Sequence, residues 1–124
     1  MKKTLALIFS ITMIVTFTNC KGKAKTVEGT TTQTEGNTLG KAKYLATCAS
    51  CHGEMGLADS ATGKAMKARN FAKDAFKAGK DLKSVIKTVG NGLPGTAMIG
   101  YKAQLNEKEI KAVSEYVIEL SNKR

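Results

Sequence analysis

The segment Cys48-Ala49-Ser50-Cys51-His52 constrains this chain more than any other feature. Two thiols three positions apart on one helical turn can reach the two vinyl groups of a haem, and the next histidine then lies under the iron. A redox pair or half of a zinc site would have the same spacing. Zinc needs four ligands, or three and a water, but the chain has one histidine and no second cysteine pair. A redox pair is expected beside a β-α-β pattern, which is missing. The motif therefore predicts covalent attachment of one haem c.

The single histidine leaves the sixth position of the haem iron to another donor or to none. Three methionines follow the motif. Met55 is too close to His52 to reach the opposite face of a haem, and Met66 lies in a polar stretch where packing or exposure is expected. Met98 ends a loop, 92–98, that contains a proline and two glycines and can turn tightly across a flat ligand. We therefore predict that His52 and Met98 are the two iron ligands.

Residues 1–20 have the features of an export signal. Two lysines are followed by an apolar run of 13 residues, 5–17, and Cys20 comes directly afterwards. The run is shorter than the roughly 20 residues that cross a bilayer as a helix. A cysteine in this position resembles that of a bacterial lipoprotein signal, so we expect Cys20 to be the lipidated first residue of the mature chain. An ordinary cleaved signal and an uncleaved anchor are the alternatives.

The next segment, residues 21–39, is rich in Thr, Gly and Lys and contains only two large apolar side chains. Such a composition predicts a flexible tether with a root-mean-square reach of roughly 25 Å. Residues 40–124 are then the folded domain. It has few aromatic residues and no tryptophan, so a cofactor is expected to help fill its core.

The domain is predicted to be all-α, because no alternation of period two occurs in it. A first helix is expected from about Leu39 to Cys48, and a second from an N-cap at Asp81 to Val89, where Gly90 stops it. The last helix has the strongest signals: Asn106 as N-cap, Glu109 at N3, and Leu105 with Ile110 as a hydrophobic staple. Its buried stripe is predicted to contain Ile110, Val113, Tyr116, Val117 and Leu120.

The chain carries a net charge of +10, and the domain carries 15 basic and 8 acidic residues. Eight basic residues fall between Lys64 and Lys87, opposed there only by Asp74 and Asp81. Nucleic acid is disfavoured as a partner, because we expect the chain to be exported and no aromatic residues are interleaved with the basic ones. Two interpretations remain, a soluble lysine-rich surface and a face that steers the protein to an acidic patch on a redox partner.

From Gly40 to Leu120 the chain resembles the small class I cytochromes c of bacteria. The resemblance rests on Gly40 and Tyr44 before the Cys48 to Gly53 motif, and on the order of the segments that follow it: Arg69-Asn70-Phe71, Gly92 to Met98, Tyr101 and the helix from Leu105 to Leu120. It implies three to five helices around one covalent haem, with Cys48 and Cys51 as thioether anchors and His52 and Met98 as axial ligands. It also implies that the first and last helices cross at Gly40.

Two residues depart from the family pattern. Ala68 stands where many relatives carry a proline whose neighbourhood orients the proximal histidine, so we expect a carbonyl within Gly63 to Ala68 to accept the His52 Nδ1 proton. Ile99 stands where relatives often have a proline after the methionine, and it is expected to loosen the Met98 loop.

These observations predict an exported, monomeric, one-electron carrier that is periplasmic or otherwise extracytoplasmic and is tethered to the membrane by lipid on Cys20. Its partners would be redox proteins such as a membrane electron-transfer complex, an oxidase or a peroxidase. The alternative is a haem-based sensor or small-ligand binder in which Met98 can be displaced. An enzyme such as a small peroxidase is disfavoured, because no distal acid and base pair is evident.

Overall fold

The structure, a computed structural model, describes residues 28–123, with side chains from residue 34 onward. This part of the chain forms five helices, α1 (Glu28–Thr47), α2 (Ala49–His52), α3 (Ala61–Ala65), α4 (Leu82–Asn91) and α5 (Glu107–Asn122). Within the described residues there is no strand, and one isolated antiparallel bridge joins Gly92 to Ile99. The predicted all-α class is confirmed. The predicted signal, with Cys20, lies outside the described residues.

Helix α5 begins as its sequence predicts. The Asn106 side chain accepts a hydrogen bond from the Glu109 N–H at 3.0 Å, and the Glu109 carboxylate accepts one from the Asn106 N–H at 2.9 Å. Lys43 of α1 lies 2.5 Å from the same carboxylate, and its hydrogen bond holds the pKa of Glu109 below its usual value. The predicted stripe is buried in full: Ile110, Val113, Tyr116, Val117 and Leu120.

Helices α1 and α5 cross at Gly40, where the two backbones approach closely. A Cβ built on Gly40 would overlap the carbonyl oxygen of Ala112 and would lie 3.1 Å from the Cβ of Tyr116. One turn further along α1, the fully buried ring of Tyr44 meets the edge of the Tyr116 ring at 5.4 Å. Glycine at this position therefore sets the distance between the two longest helices of the described chain.

The structure differs from the sequence prediction over residues 28–39, which belong to α1 and are not a flexible tether. Their polar composition gives no periodic signal for a helix. Helices in proteins owe most of their stability to packing against another element, which the sequence of these residues alone does not reveal. The Asn37 side chain donates a hydrogen bond to Glu119 of α5 at 2.5 Å. Residues 21–27 of the predicted tether lie outside the described residues. No helix in the described part of the chain is both long enough and apolar enough to span a membrane.

Helix α4 has the predicted N-cap, since the Asp81 side chain accepts a hydrogen bond from the Ser84 N–H at 3.0 Å. It does not stop at Gly90, however. Gly90 is buried inside the helix, and the chain leaves the helix at Gly92, whose φ of +79° is in the left-handed region that glycine favours. The buried Val85 and Val89 of α4 join the same core as α5.

Candidate functional site

The Cys48 to His52 motif lies at the junction of α1 and α2. Cys48 follows the last residue of α1 and precedes the short helix that contains Cys51 and His52. The His52 N–H bonds to the Cys48 carbonyl at 2.9 Å, so one helical turn carries all three side chains. Neither Cys48 nor Cys51 is in a disulfide. Burial raises the pKa of the Cys48 thiol.

The His52 ring has a defined tautomer. Its Nδ1 lies 3.1 Å from the carbonyl oxygen of Arg69. A carbonyl only accepts hydrogen bonds, so Nδ1 carries the proton and Nε2 keeps a lone pair that can bind a metal. Burial, more than any other cause, lowers the pKa of His52 and favours this neutral form.

The acceptor for His52 lies one residue beyond the predicted range of Gly63 to Ala68. The end of α3 explains why, because the N–H groups of Lys67 and Ala68 bond back to the carbonyls of Lys64 and Gly63. These are the two bonds of a Schellman ending, with Lys67 in the left-handed region at φ +52°. Two carbonyls of the predicted range are thereby occupied, and the chain leaves the turn with the Arg69 carbonyl directed at His52.

An aromatic cluster supports one face of the His52 ring. Phe71 is 8% exposed and stacks on the imidazole, with centroids 4.6 Å apart and planes 22° from parallel. Phe76 stacks on the ring of Phe71 with centroids 5.8 Å apart, and the Tyr44 ring packs against Phe71 at a tilt. The buried hydroxyl of Tyr44 donates to the Gly53 carbonyl at 2.6 Å. This cluster ties the histidine to the α1–α5 core.

A cavity of about 450 Å³ opens beside the motif, a size typical of cofactor sites. It brings together the predicted site residues Cys48, Cys51, His52 and Met98. Apolar side chains from α4, α5 and the loops form much of its wall, among them Phe71, Phe76, Val85, Val89 and Val117. Met66 also lines the cavity, although its side chain is 55% exposed.

The loop that carries Met98 is held at both ends and in the middle. The Leu93 N–H bonds to the Met98 carbonyl at 2.9 Å, and the Tyr101 N–H bonds to the Val89 carbonyl at 2.9 Å. Inside the loop, the Thr96 hydroxyl donates to the Leu93 carbonyl at 2.7 Å and accepts from the Met98 N–H at 3.2 Å. Ile99 was expected to loosen this loop. Its side chain is 59% exposed, but its backbone forms the bridge to Gly92 that closes the loop.

The residues present fit a covalently bound haem. Two cysteines outside any disulfide, a neutral imidazole and a methionine thioether line one largely apolar cavity, and these are the groups that covalent haem attachment requires. Sequence reasoning included Phe71 and Thr96 in the segments of the resemblance, but it did not predict that Phe71 stacks on the imidazole or that Thr96 braces the loop. Stacking partners depend on how loops meet, and the sequence has no periodic signal for that.

A helical domain with crossed terminal helices and a Cys-x-x-Cys-His turn beside an apolar cavity is a small class I cytochrome c. The chain belongs to the family described as cytochrome c oxidase, cbb3-type, subunit III, whose model matches residues 36–117. Members are electron-transfer haem proteins, and the cofactor is haem c, bound covalently with its iron.

Solved structures similar to this chain include two from c-type cytochrome systems. The KustC0563 c-type cytochrome is 30% identical, with a TM-score of 0.56, over 65% of this chain and 95% of its own. The Kuenenia stuttgartiensis reducing HAO-like protein complex Kustc0457/Kustc0458 is 28% identical over the same share of this chain, with a TM-score of 0.55. This chain spans 40% of the length of the matched chain in that complex. The search of curated proteins found no match to this chain.

Proposed function

We propose that this protein is an extracytoplasmic one-electron carrier and not an enzyme. Cys48 and Cys51 would form the thioether bonds to haem c, and His52 and Met98 would hold its iron. The observation that supports this most strongly is the convergence of these four side chains on one cavity, with the His52 tautomer fixed by Arg69. Haem c supplies an iron that alternates between the ferrous and ferric states, and the protein sets the potential.

The residues around the cavity favour a carrier over a sensor. A displaceable Met98 would need a loop that opens easily, whereas this loop is braced by Thr96 and closed by the bridge from Gly92 to Ile99. With His52 and Met98 both holding the iron, no position on it would be left for a substrate. The apolar wall that includes Val85 and Val89 also disfavours the extra charge of ferric iron, so we expect a raised potential.

Carbon monoxide tests this proposal on the haem-loaded protein. We expect a low-spin ferrous spectrum that changes little when carbon monoxide is added, because Met98 holds the sixth position. The ferric protein should show the weak long-wavelength band of sulfur bound to iron. A high-spin ferrous spectrum that shifts readily with carbon monoxide would support the sensor instead.

The basic segment offers a docking surface for a partner. All three ion pairs of the described side chains lie on α1, on α5 or on the residue that follows α5: Lys43 with Glu109, Lys111 with Glu115, and Lys123 with Glu119. The eight basic residues between Lys64 and Lys87 therefore make no ion pair within the described chain. Three of them line the cavity: Lys67, Arg69 and Lys77. We propose that this basic face docks an acidic patch on a membrane electron-transfer complex, oxidase or peroxidase.

Charge reversal on this face tests the docking proposal. Lys77→Glu should slow electron transfer to the true partner several-fold at low salt, and the difference from the wild type should shrink as ionic strength rises. Lys108→Glu is the matched control, because it makes the same charge change at an exposed position on α5. Equal effects of the two variants, or a rate that does not depend on salt, would contradict a specific basic face.

We also propose that lipid on Cys20 anchors the protein to a membrane. The support is the basic start, the short apolar run and the cysteine that follows it. Cys20→Ser should move the protein from the membrane fraction to the soluble fraction while leaving its haem spectrum unchanged. Retention of the variant in membranes would contradict the lipid anchor.

A further inference from the structure

One peptide group connects the proposed haem ligand to a carboxylate. The carbonyl of Arg69 and the N–H of Asn70 belong to the same planar unit and point in opposite directions. The carbonyl accepts a hydrogen bond from His52 Nδ1 at 3.1 Å, and the N–H donates one to the Asp74 Oδ2 at 2.9 Å. Two hydrogen bonds that share one peptide group thus link Asp74 to the imidazole.

The surrounding turn holds this peptide in place. The Asn70 side chain donates to the Leu57 carbonyl at 2.9 Å and accepts from the Ala72 N–H at 2.9 Å. The Phe71 N–H bonds to the Gly56 carbonyl at 2.7 Å, which seats the Phe71 ring on His52. The carbonyl therefore has little freedom to turn away from the imidazole.

The direction of the effect follows from hydrogen-bond chemistry. A bond to an ionised carboxylate is stronger than one between neutral groups, and each bond in a chain polarises the next. The negative charge on Asp74 polarises the peptide group through the Asn70 N–H and increases the electron density on the Arg69 oxygen. That oxygen then holds the Nδ1 proton more firmly, which makes the opposite nitrogen of the ring a stronger donor to a metal.

We propose that Asp74 is a positioning residue for His52 that acts through the peptide between Arg69 and Asn70. It fixes the ring orientation and strengthens the ring as a donor, which favours ferric iron and lowers the reduction potential. The apolar wall raises the reduction potential and Asp74 lowers it, so the potential depends on the balance of the two effects. This inference rests on the proposed role of His52 as an iron ligand.

Substitutions of Asp74 in the haem-loaded protein test the proposal. Asp74→Ala should shift the ferric to ferrous equilibrium toward the ferrous form by about three- to tenfold, or about 30 to 60 mV at 59 mV per tenfold. Asp74→Asn keeps an acceptor but loses the charge, so it should give an intermediate shift. Asp74→Glu keeps the charge and should recover part of the wild-type potential.

Two further measurements separate this relay from a simple charge effect. Asp59→Asn removes the same charge at another exposed position and is the matched control. In Asp74→Ala alone, the Asn70 amide should exchange with solvent at least several-fold faster, and the His52 Nδ1 proton should change its NMR shift. If both signals stay unchanged in Asp74→Ala, or if Asp59→Asn shifts the potential equally, the proposal is wrong. A wild-type His52 ring without paramagnetic shifts would instead refute the ligand role itself.

Discussion

The variant Gly40→Ala should lose about 2 to 4 kcal/mol of stability, enough to leave much of the domain unfolded at moderate temperature. The added methyl group has no room, because it would overlap the carbonyl oxygen of Ala112 and would lie 2.9 Å from its carbonyl carbon. Backbone atoms cannot rotate away as a side chain can, so α1 and α5 must separate. Thermal unfolding of the haem-loaded protein, followed by circular dichroism, measures the loss.

Gly36→Ala is the matched control, because Gly36 lies one turn earlier on the same helix. A Cβ there would have a side-chain atom of Glu115 as its nearest neighbour, at 3.9 Å. Alanine is a better helix former than glycine, so this variant should be unchanged or more stable by up to about 1 kcal/mol. If both variants lost stability equally, the close crossing at Gly40 would not be the reason.

The variant Met98→Ala is expected to change the haem spectrum more than any other substitution outside the attachment motif. Removal of the sulfur ligand should abolish the long-wavelength ferric band and open the iron to carbon monoxide. The potential should fall by on the order of 0.1 V or more, because axial ligands set haem potentials over a range of about 0.8 V. Optical spectroscopy combined with a redox titration tests both expectations.

Met66→Ala is the control for this prediction, because Met66 also lines the cavity. Its exposed side chain follows α3, and the proposed function gives it no bond to iron. The variant should keep the wild-type spectrum and nearly the wild-type potential. If Met66→Ala loses the sulfur band and Met98→Ala keeps it, the two methionines have been assigned the wrong way round.

Local signals in the sequence predicted local structure well. The caps of α4 and α5 need only a side chain and a backbone N–H three residues away, and both form as predicted. The end of α4 was misplaced because Gly90 and Gly92 both suit a helix end. Only the second leaves the helix, and there the strand-like bridge to Ile99 follows at once. The first glycine stays buried inside the helix, where an added Cβ would make only an ordinary contact with Ile110 of α5, at 3.9 Å.

Features that depend on tertiary contacts were not predictable in the same way. Residues 28–39 lack an apolar stripe, so their helix could not be recognised before its partner α5 was in place. The acceptor for His52 was misplaced by one residue because it depends on how α3 ends, with Lys67 in a conformation that lysine rarely adopts. For the haem site, the sequence motifs predicted residues that the structure does bring to one cavity. The peptide relay from Asp74 had no sequence signal at all.

The length of α1 separates the start of the described chain from the cavity. Its 20 residues span about 30 Å. The cavity lies beside its C-terminal end, next to Cys48, and Glu28 lies at its N-terminal end. Anything that holds the chain near Glu28 is therefore separated from the cavity by nearly the width of a small domain. The proposed lipid anchor and the proposed docking face would therefore not compete for space, and the protein would remain attached while it docks a partner.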